Sequence, residues 1–188
     1  NHNLNVWNSY TVENLSKFNG LILSSELSGR EIKEITKKNY IKNTDLEMIV
    51  HGNLEVIVSR DDFTNLNDGR DFIISNDAEY ATLEDKKRKK FKYKIFFDYN
   101  RQSHILNKDC LCLIEEMNEI KTLNLDNLIV DCRYSAEKYT KQILSIYNES
   151  LAQISDETLS EFKYDIMDFS QSYINKGNYI EGRLHEDT

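Results

Sequence analysis

The sequence has no proline, only six glycines and only three cysteines in 188 residues. The missing proline accompanies abundant Asn, Ile and Lys, a bias that fits an AT-rich genome and points to no function. Three thiols, an odd number with no secretory signal beside them, argue against a disulfide framework. They read as free thiols in a reducing, cytoplasmic compartment. Cys110 and Cys112 stand at alternate positions and Cys132 stands apart, too few ligands for a closed zinc or iron–sulfur site, so packing in the core is their expected use. No apolar run approaches the roughly 20 residues of a membrane-spanning helix. Residues 1–6 carry no basic stretch leading into an apolar one, so no secretory leader is expected. The first residue is Asn1 rather than Met, and we expect a piece of something longer. Positive charge is also short: 24 Lys and Arg stand against 32 Asp and Glu, a net charge of −8, which excludes a general nucleic-acid surface.

What is present suits an ordinary globular protein, with 39% hydrophobic and 30% charged residues. The length allows one domain with a sizeable core, alone or with a small appendage. One basic island, Lys86, Lys87, Arg88, Lys89 and Lys90, interrupts the acidic balance. A solvated hairpin tip is the plain reading, and a local phosphate or RNA contact is the alternative.

Along the chain, β-rich runs alternate with helical spacing. Residues 4–8 read as a strand. Residues 11–18 carry Val12, Leu15 and Phe18 at helical spacing, and residues 21–23 read as a buried strand. Ser28 is a helix N-cap for residues 29–38, with Glu31 completing a capping box and Ile32 and Ile35 forming the apolar stripe. Residues 46–51 are a third strand, ending at Gly52. Strand, helix, strand, helix, strand implies parallel pairing with crossover helices. The pattern then breaks. Residues 53–70 are mixed, and short alternating runs at 72–74, 80–83, 91–97 and 104–106 predict an antiparallel insertion of hairpins. Phe91, Tyr93, Ile95 and Phe97 alternate with Lys92, Lys94 and Phe96, as in a half-buried strand. A helix is expected over 110–120, with Leu113, Met117 and Ile120 on one side, then a fourth parallel strand over 128–132. Ser135 is expected to cap a long helix reaching about residue 153, with Ala136, Tyr139, Ile143, Ile146 and Tyr147 on its apolar face. A last helix is expected over 156–168, and the tail from Ser170 should wrap against the body or stay partly disordered.

Five blocks, in order, carry a resemblance to a known family. Leu4 to Ser9 resemble its LNVxNS strand. Leu23, Ser24, Ser25, Glu26 and Leu27 resemble its LSPEL turn, with Ser25 where proline is usual. Residues 46–65 align without gaps on its signature, residues 105–113 resemble ILNSKDLCLL, and Lys176, Gly177, Asn178, Tyr179 and Gly182 resemble a C-terminal TKGHYYRG element. The chain thus resembles the second half of a U-32 (collagenase-like) peptidase.

That resemblance implies an α/β fold: a partial TIM-like (β/α) barrel with parallel strands and an antiparallel β-hairpin insertion. Residues 1–52 would begin the half barrel, 53–107 form the loop and insertion, 108–155 supply the last β/α part, and 156–188 the C-terminal helix and tail. An upstream half, or a second copy, would cover the open sheet edges. In the signature Glu47, Gly52, Leu54 and Ser59 match, while the two family cysteines are replaced by Glu55 and Asp62. The family's KIEGR element is here Ile129, Val130, Asp131, Cys132 and Arg133. Some family members that modify RNA or hydroxylate a quinone ring hold an iron–sulfur cluster on those cysteines. Without the two thiolates no cofactor is expected here.

In a parallel sheet, sites form at the carboxyl ends of strands. Those ends present Asn8, Glu26, His51, Asp131 and Arg133. His51 would serve as acid and base, Glu26 and Asp131 would orient or coordinate, Glu47 would lend support, and Arg133, taking an anionic group, would bind substrate with Asn8. Each has a structural counterpart: a helix dipole for Glu26, a local hydrogen bond for His51, a mutual ion pair for Asp131 and Arg133. Ser24, Ser25 and Ser59 lie in no nucleophile-elbow pattern, no His-Glu-x-x-His motif occurs, and no Gly-rich phosphate loop is present. Asp61, Asp62, Asp68 and Asp71 lack the spacing of a calcium loop and read as solvated acids. The expected activity is hydrolysis of peptide or protein substrates by an undefined acid/base mechanism, with no membrane partner. A non-catalytic or RNA-directed module of the same family is the alternative.

Overall fold

The computed structural model describes residues 4–37, 44–61, 63, 72–77, 80–85, 92–133, 135–170 and 173–182. In chain order they form α1 (Ser9–Asn14), β1 (Gly20–Ile22), α2 (Gly29–Thr36), β2 (Asp45–Gly52), β3 (Glu55–Ser59), β4 (Phe72–Asp77), β5 (Tyr80–Asp85), β6 (Lys92–Phe97) and β7 (Ser103–Leu106). After these come β8 (Cys110–Cys112), a 3-10 turn (Ile114–Glu116), α3 (Met117–Ile120), β9 (Asn127–Asp131), α4 (Glu137–Ser150), α5 (Asp156–Phe169) and β10 (Ile174–Asn175). The chain is mixed α/β and divides into two compact units, Asn1–Gly52 with Leu111–Thr188, and Asn53–Cys110. No described helix is long and apolar enough to cross a membrane.

In the first unit, parallel segments lie side by side in chain order. Val6 bridges Leu23, β1 pairs with the start of β2, and β9 pairs with β2 from Glu47 to Gly52, all parallel. From Leu46 to Gly52 every β2 residue except Glu47 is buried, as a strand covered on both faces requires. The capping box of Ser28 and Glu31 starts α2 as the sequence implies, and Ile32 and Ile35 are buried beneath it. Ile143 of α4 and Leu159 and Ile166 of α5 are fully buried with Leu113, Met117 and Ile120.

Three sequence expectations need correction. The helix expected over 110–120 opens instead as β8, antiparallel to β2, with His51 opposite Cys112 and Gly52 opposite Leu111. The 3-10 turn and the one-turn α3 follow. A short apolar run buried on all sides has no period that separates helix from strand, and pairing with β2 decides it. The strand expected over residues 4–8 shrinks to the single Val6 bridge, because Asn8 caps α1 by accepting from the Thr11 N–H at 2.9 Å. The long helix begins at Glu137, with Ala136 rather than Ser135 at its N-cap and no side-chain cap bond. Over its described residues, 173–182, the tail wraps against the body, one of the two expected outcomes: β10 joins the edge of β8, and the Gly29 N–H donates to the Tyr179 carbonyl at 2.8 Å.

The second unit is a five-stranded antiparallel sheet in the order β3-β7-β6-β5-β4. The hairpin insertion expected from the alternating runs is present. Ile95 and Ile105 form its small core, with Phe63, Tyr93 and Phe97 packed on it. The mixed stretch hides a strand, β3, whose Val56, Ile57 and Val58 have no alternation and are all exposed at the sheet edge. The basic island at 86–90, and Asp62, Asp68 and Asp71, lie outside the described residues.

Candidate functional site

The carboxyl ends of β2 and β9 meet at one place in the first unit. Pairing runs evenly from Glu47 with Asn127 to Ile49 with Ile129, then slips, so that His51 faces Val130 and Gly52 faces Asp131. Val50 is the extra residue of this bulge, a device that re-aims the side chain after it. Gly52 has φ +138, and a Cβ there would lie 2.5 Å from the Asp131 carbonyl oxygen. Only glycine lets the two strand ends close up in this way.

His51 has no exposed surface. Its Nε2 lies 2.8 Å from the Tyr139 hydroxyl and its Nδ1 lies 3.4 Å from the Tyr147 hydroxyl. Tyr147 donates its proton to the Val50 carbonyl at 3.0 Å, so its oxygen faces His51 as an acceptor. With the Tyr147 proton directed to the Val50 carbonyl, the tautomer that satisfies both contacts carries its proton on Nδ1 and accepts from Tyr139 at Nε2. Burial lowers the His51 pKa to about 4, so the ring is neutral near pH 7. Tyr139 and Tyr147 come from one face of α4, two turns apart with Ile143 between them. Tyr147 is buried, whereas Tyr139 is partly exposed and packs edge-on against Phe169 with centroids 5.8 Å apart. The Cys112 thiol, 3.8 Å from the Tyr147 hydroxyl, is pushed up by burial, and burial also raises Cys132. Neither behaves as a lowered-pKa nucleophile.

Arg133 grips Asp131 with both arms of its fork, Nε to Oδ1 at 3.0 Å and a terminal nitrogen to Oδ2 at 2.8 Å. The Asp131 side chain is 10% exposed and that of Arg133 49%, so the arginine is the more exposed partner. Glu26 is exposed beyond β1, its N–H donating to the Ser24 hydroxyl. Asn8 is engaged as the α1 cap. Glu47 lies toward the other end of β2, roughly 13 Å from His51 along the strand, where it accepts from Asn127 at 3.3 Å.

The structure thus gathers His51, Asp131 and Arg133 at two adjacent strand ends, and leaves Glu26 and Asn8 at the ends of their own segments. Glu47 stands apart. Sequence reasoning placed Tyr139 and Tyr147 in the apolar stripe of α4 and missed them as partners of His51. The available signal was two phenols in an otherwise aliphatic stripe, since a buried hydroxyl needs a partner.

In the second unit lies Glu55, which the sequence resemblance sets in the place of a signature cysteine. Its carboxylate is 6% exposed and lies 2.6 Å from Nδ1 of His104, whose other nitrogen lies 3.7 Å from Asp98. A hard oxygen donor already held by an imidazole is not the thiolate an iron–sulfur cluster requires. Among the described residues, no three or more His, Cys, Asp or Glu side chains are arranged to hold a metal. The residues described do not fit such a cluster.

The family model of Peptidase family U32 matches residues 2–187, nearly the whole chain, and the chain belongs to that family. No curated protein and no solved structure matches it.

Proposed function

We propose, with membership of the U32 family as the premise, that this chain carries an acid/base site for hydrolysis of peptide bonds at the carboxyl ends of β2 and β9. In this reading His51 is the acid/base group. Asp131 and Glu26 orient, Arg133 and Asn8 bind the substrate, and Glu47 supports β2 from its other end. The observation that carries the reading is the 2.8 Å bond between an uncharged, fully buried His51 and the Tyr139 hydroxyl. Only a neutral imidazole can accept a proton, and His51 lies at the end of β2, next to the end of β9 that leads to Arg133.

The parallel segments, ordered Val6, β1, β2 and β9, suit one side of a (β/α) barrel, the rest of which an upstream half or a second copy would complete. No step requires a metal or a cluster.

The test is His51→Gln in the full-length protein, assayed for cleavage of an unfolded polypeptide such as gelatin. Loss of turnover in a variant that keeps its circular dichroism supports the assignment. Undiminished turnover removes His51 from the site.

A further inference from the structure

We propose that the recess between α3 and the turn joining α4 to α5 binds the carboxyl terminus of a peptide whose last residue is aliphatic. The recess lies within the first unit and involves none of the residues assigned to hydrolysis, so it stands whether or not this chain cleaves peptides. Its volume is about 350 Å³, and it is lined by Asn118, Lys121, Leu151, Gln153 and Ile154. Small-molecule sites run from about 300 to 1,000 Å³. A recess at the lower end of that range suits the end of a chain rather than a folded partner.

The walls are tied down by the protein itself. α4 ends at Ser150, and the Leu151 and Ala152 N–H groups donate back to the Asn148 and Glu149 carbonyls at 3.3 and 3.1 Å. Lys121, just after α3, donates to the Ser150 carbonyl at 3.0 Å and to the Ala152 carbonyl at 2.6 Å. It thus caps carbonyls that a helix end leaves open. Asn118 donates to the Ile154 carbonyl at 3.0 Å and to the Asp156 carboxylate at 2.8 Å, which spends both of its amide hydrogens.

What these bonds leave over defines the ligand. An ammonium has three N–H groups, and capping uses two of them. Lys121 is the only charged residue of the five, and no carboxylate of the described residues pairs with it. Its third N–H is left for an anion, and a carboxylate accepts such a bond well. Asn118 keeps its side-chain oxygen, an acceptor for a peptide N–H. Leu151 is 54% exposed and Ile154 half-buried, so the recess also has an aliphatic wall on which an apolar side chain leaves water. A cation, an amide acceptor and an aliphatic wall match a carboxylate, the N–H beside it and an aliphatic side chain. Those three groups occur together at a peptide's carboxyl end. An internal peptide segment has no such carboxylate, and an inorganic anion has no apolar part.

The probe is N-acetyl-leucine, titrated into the full-length protein and followed by backbone amide chemical shifts. Saturable shifts are expected at Lys121, Leu151, Gln153 and Ile154, with a Kd roughly millimolar, as an open site and so small a ligand allow. N-acetyl-leucinamide, which lacks the charge, should bind at least about tenfold more weakly. Hexanoate, an acid with no peptide N–H, should also bind more weakly than N-acetyl-leucine. Leu151→Glu places a negative charge on an exposed part of the wall and should weaken N-acetyl-leucine at least about tenfold with the fold intact. Lys121→Met should bind acid and amide alike. Because that change also uncaps α4, Leu151→Glu carries the test if the Lys121 variant fails to fold. No saturable shift at these residues, or equal affinity for acid and amide in wild type, overturns the site. Hexanoate binding as tightly as N-acetyl-leucine overturns a peptide terminus as its ligand.

Discussion

Gly52 and Asp131 face each other so closely that no side chain fits between them: a Cβ on Gly52 would meet the Asp131 carbonyl oxygen at 2.5 Å and its Cβ at 2.8 Å. Both obstructing atoms belong to or adjoin the β9 backbone, so neither can swing aside. The positive φ of Gly52 adds a conformational cost for any other residue.

Gly52→Ala should therefore destabilise the protein by at least about 2 kcal/mol, strain and clash acting together. It should also move Asp131 and loosen its fork with Arg133. Chemical denaturation measures the first effect. Wild-type stability in this variant would show that the strand ends are not packed as described.

His51 makes stability depend on pH in a predictable direction. Its folded pKa, about 4, is below its ordinary 6.5, so between those values the unfolded chain binds the extra proton. Stability from this group is complete above about pH 6.5 and is lost as pH falls toward 4, a loss of about 3 kcal/mol at full effect. Among the described residues, Tyr139 and Tyr147 from α4 face the ring, and Cys112 from β8 lies against Tyr147. Denaturation midpoints at pH 7, 5.5 and 4.5 should fall in wild type, and fall less in His51→Gln once the carboxylates common to both are subtracted.

Much of this fold was legible where local chemistry and periodicity agree. Ser28 and Glu31 announce α2, and the alternation around Ile95 announces the hairpin sheet. The losses share a cause. β8 and β3 are short and apolar without alternation, so pairing partners distant in sequence decide their state. Asn8 belongs to two competing patterns, and the helix cap wins over strand extension. That His51, Asp131 and Arg133 fall at neighbouring strand ends was legible from the strand pattern alone. The role of Tyr139 was not, because the helical period that placed it in the stripe says nothing about where its hydroxyl reaches.

The C-terminal segment offers a contrast between two kinds of contact. Lys176 pairs with Glu115 and Glu116, but it is 38% exposed, and such pairs contribute at most about 1 kcal/mol. Gly29 lies under the Tyr179 ring, where a Cβ would come within 2.6 Å of the ring carbon that bears the hydroxyl. Gly29→Ala should displace the buried Tyr179 and cost about 1–3 kcal/mol, as overpacking does. Lys176→Met should cost less than about 1 kcal/mol. The reverse ranking in thermal melts would mean that charge rather than packing holds this segment.

The pair Glu55 and His104 leads to the last prediction. The resemblance sets Glu55 where the family signature carries a thiolate, and its side chain is nearly buried against His104. Removing one partner of such a pair strands the other, which costs more than the pair itself contributes. Glu55→Ala should therefore destabilise the protein by about 3 kcal/mol, and Glu55→Gln, which keeps an acceptor for the His104 N–H, by clearly less. If that site once served a cluster, restoring a thiolate by Glu55→Cys should not rebuild it, because the second signature position is Asp62. Elemental analysis and visible absorbance of anaerobically purified full-length protein check this directly. Wild type and Glu55→Cys should both lack stoichiometric iron. Iron bound at stoichiometry in wild type would mean that ligands beyond these residues assemble a cluster, and peptide hydrolysis would give way to redox chemistry as the reading to test.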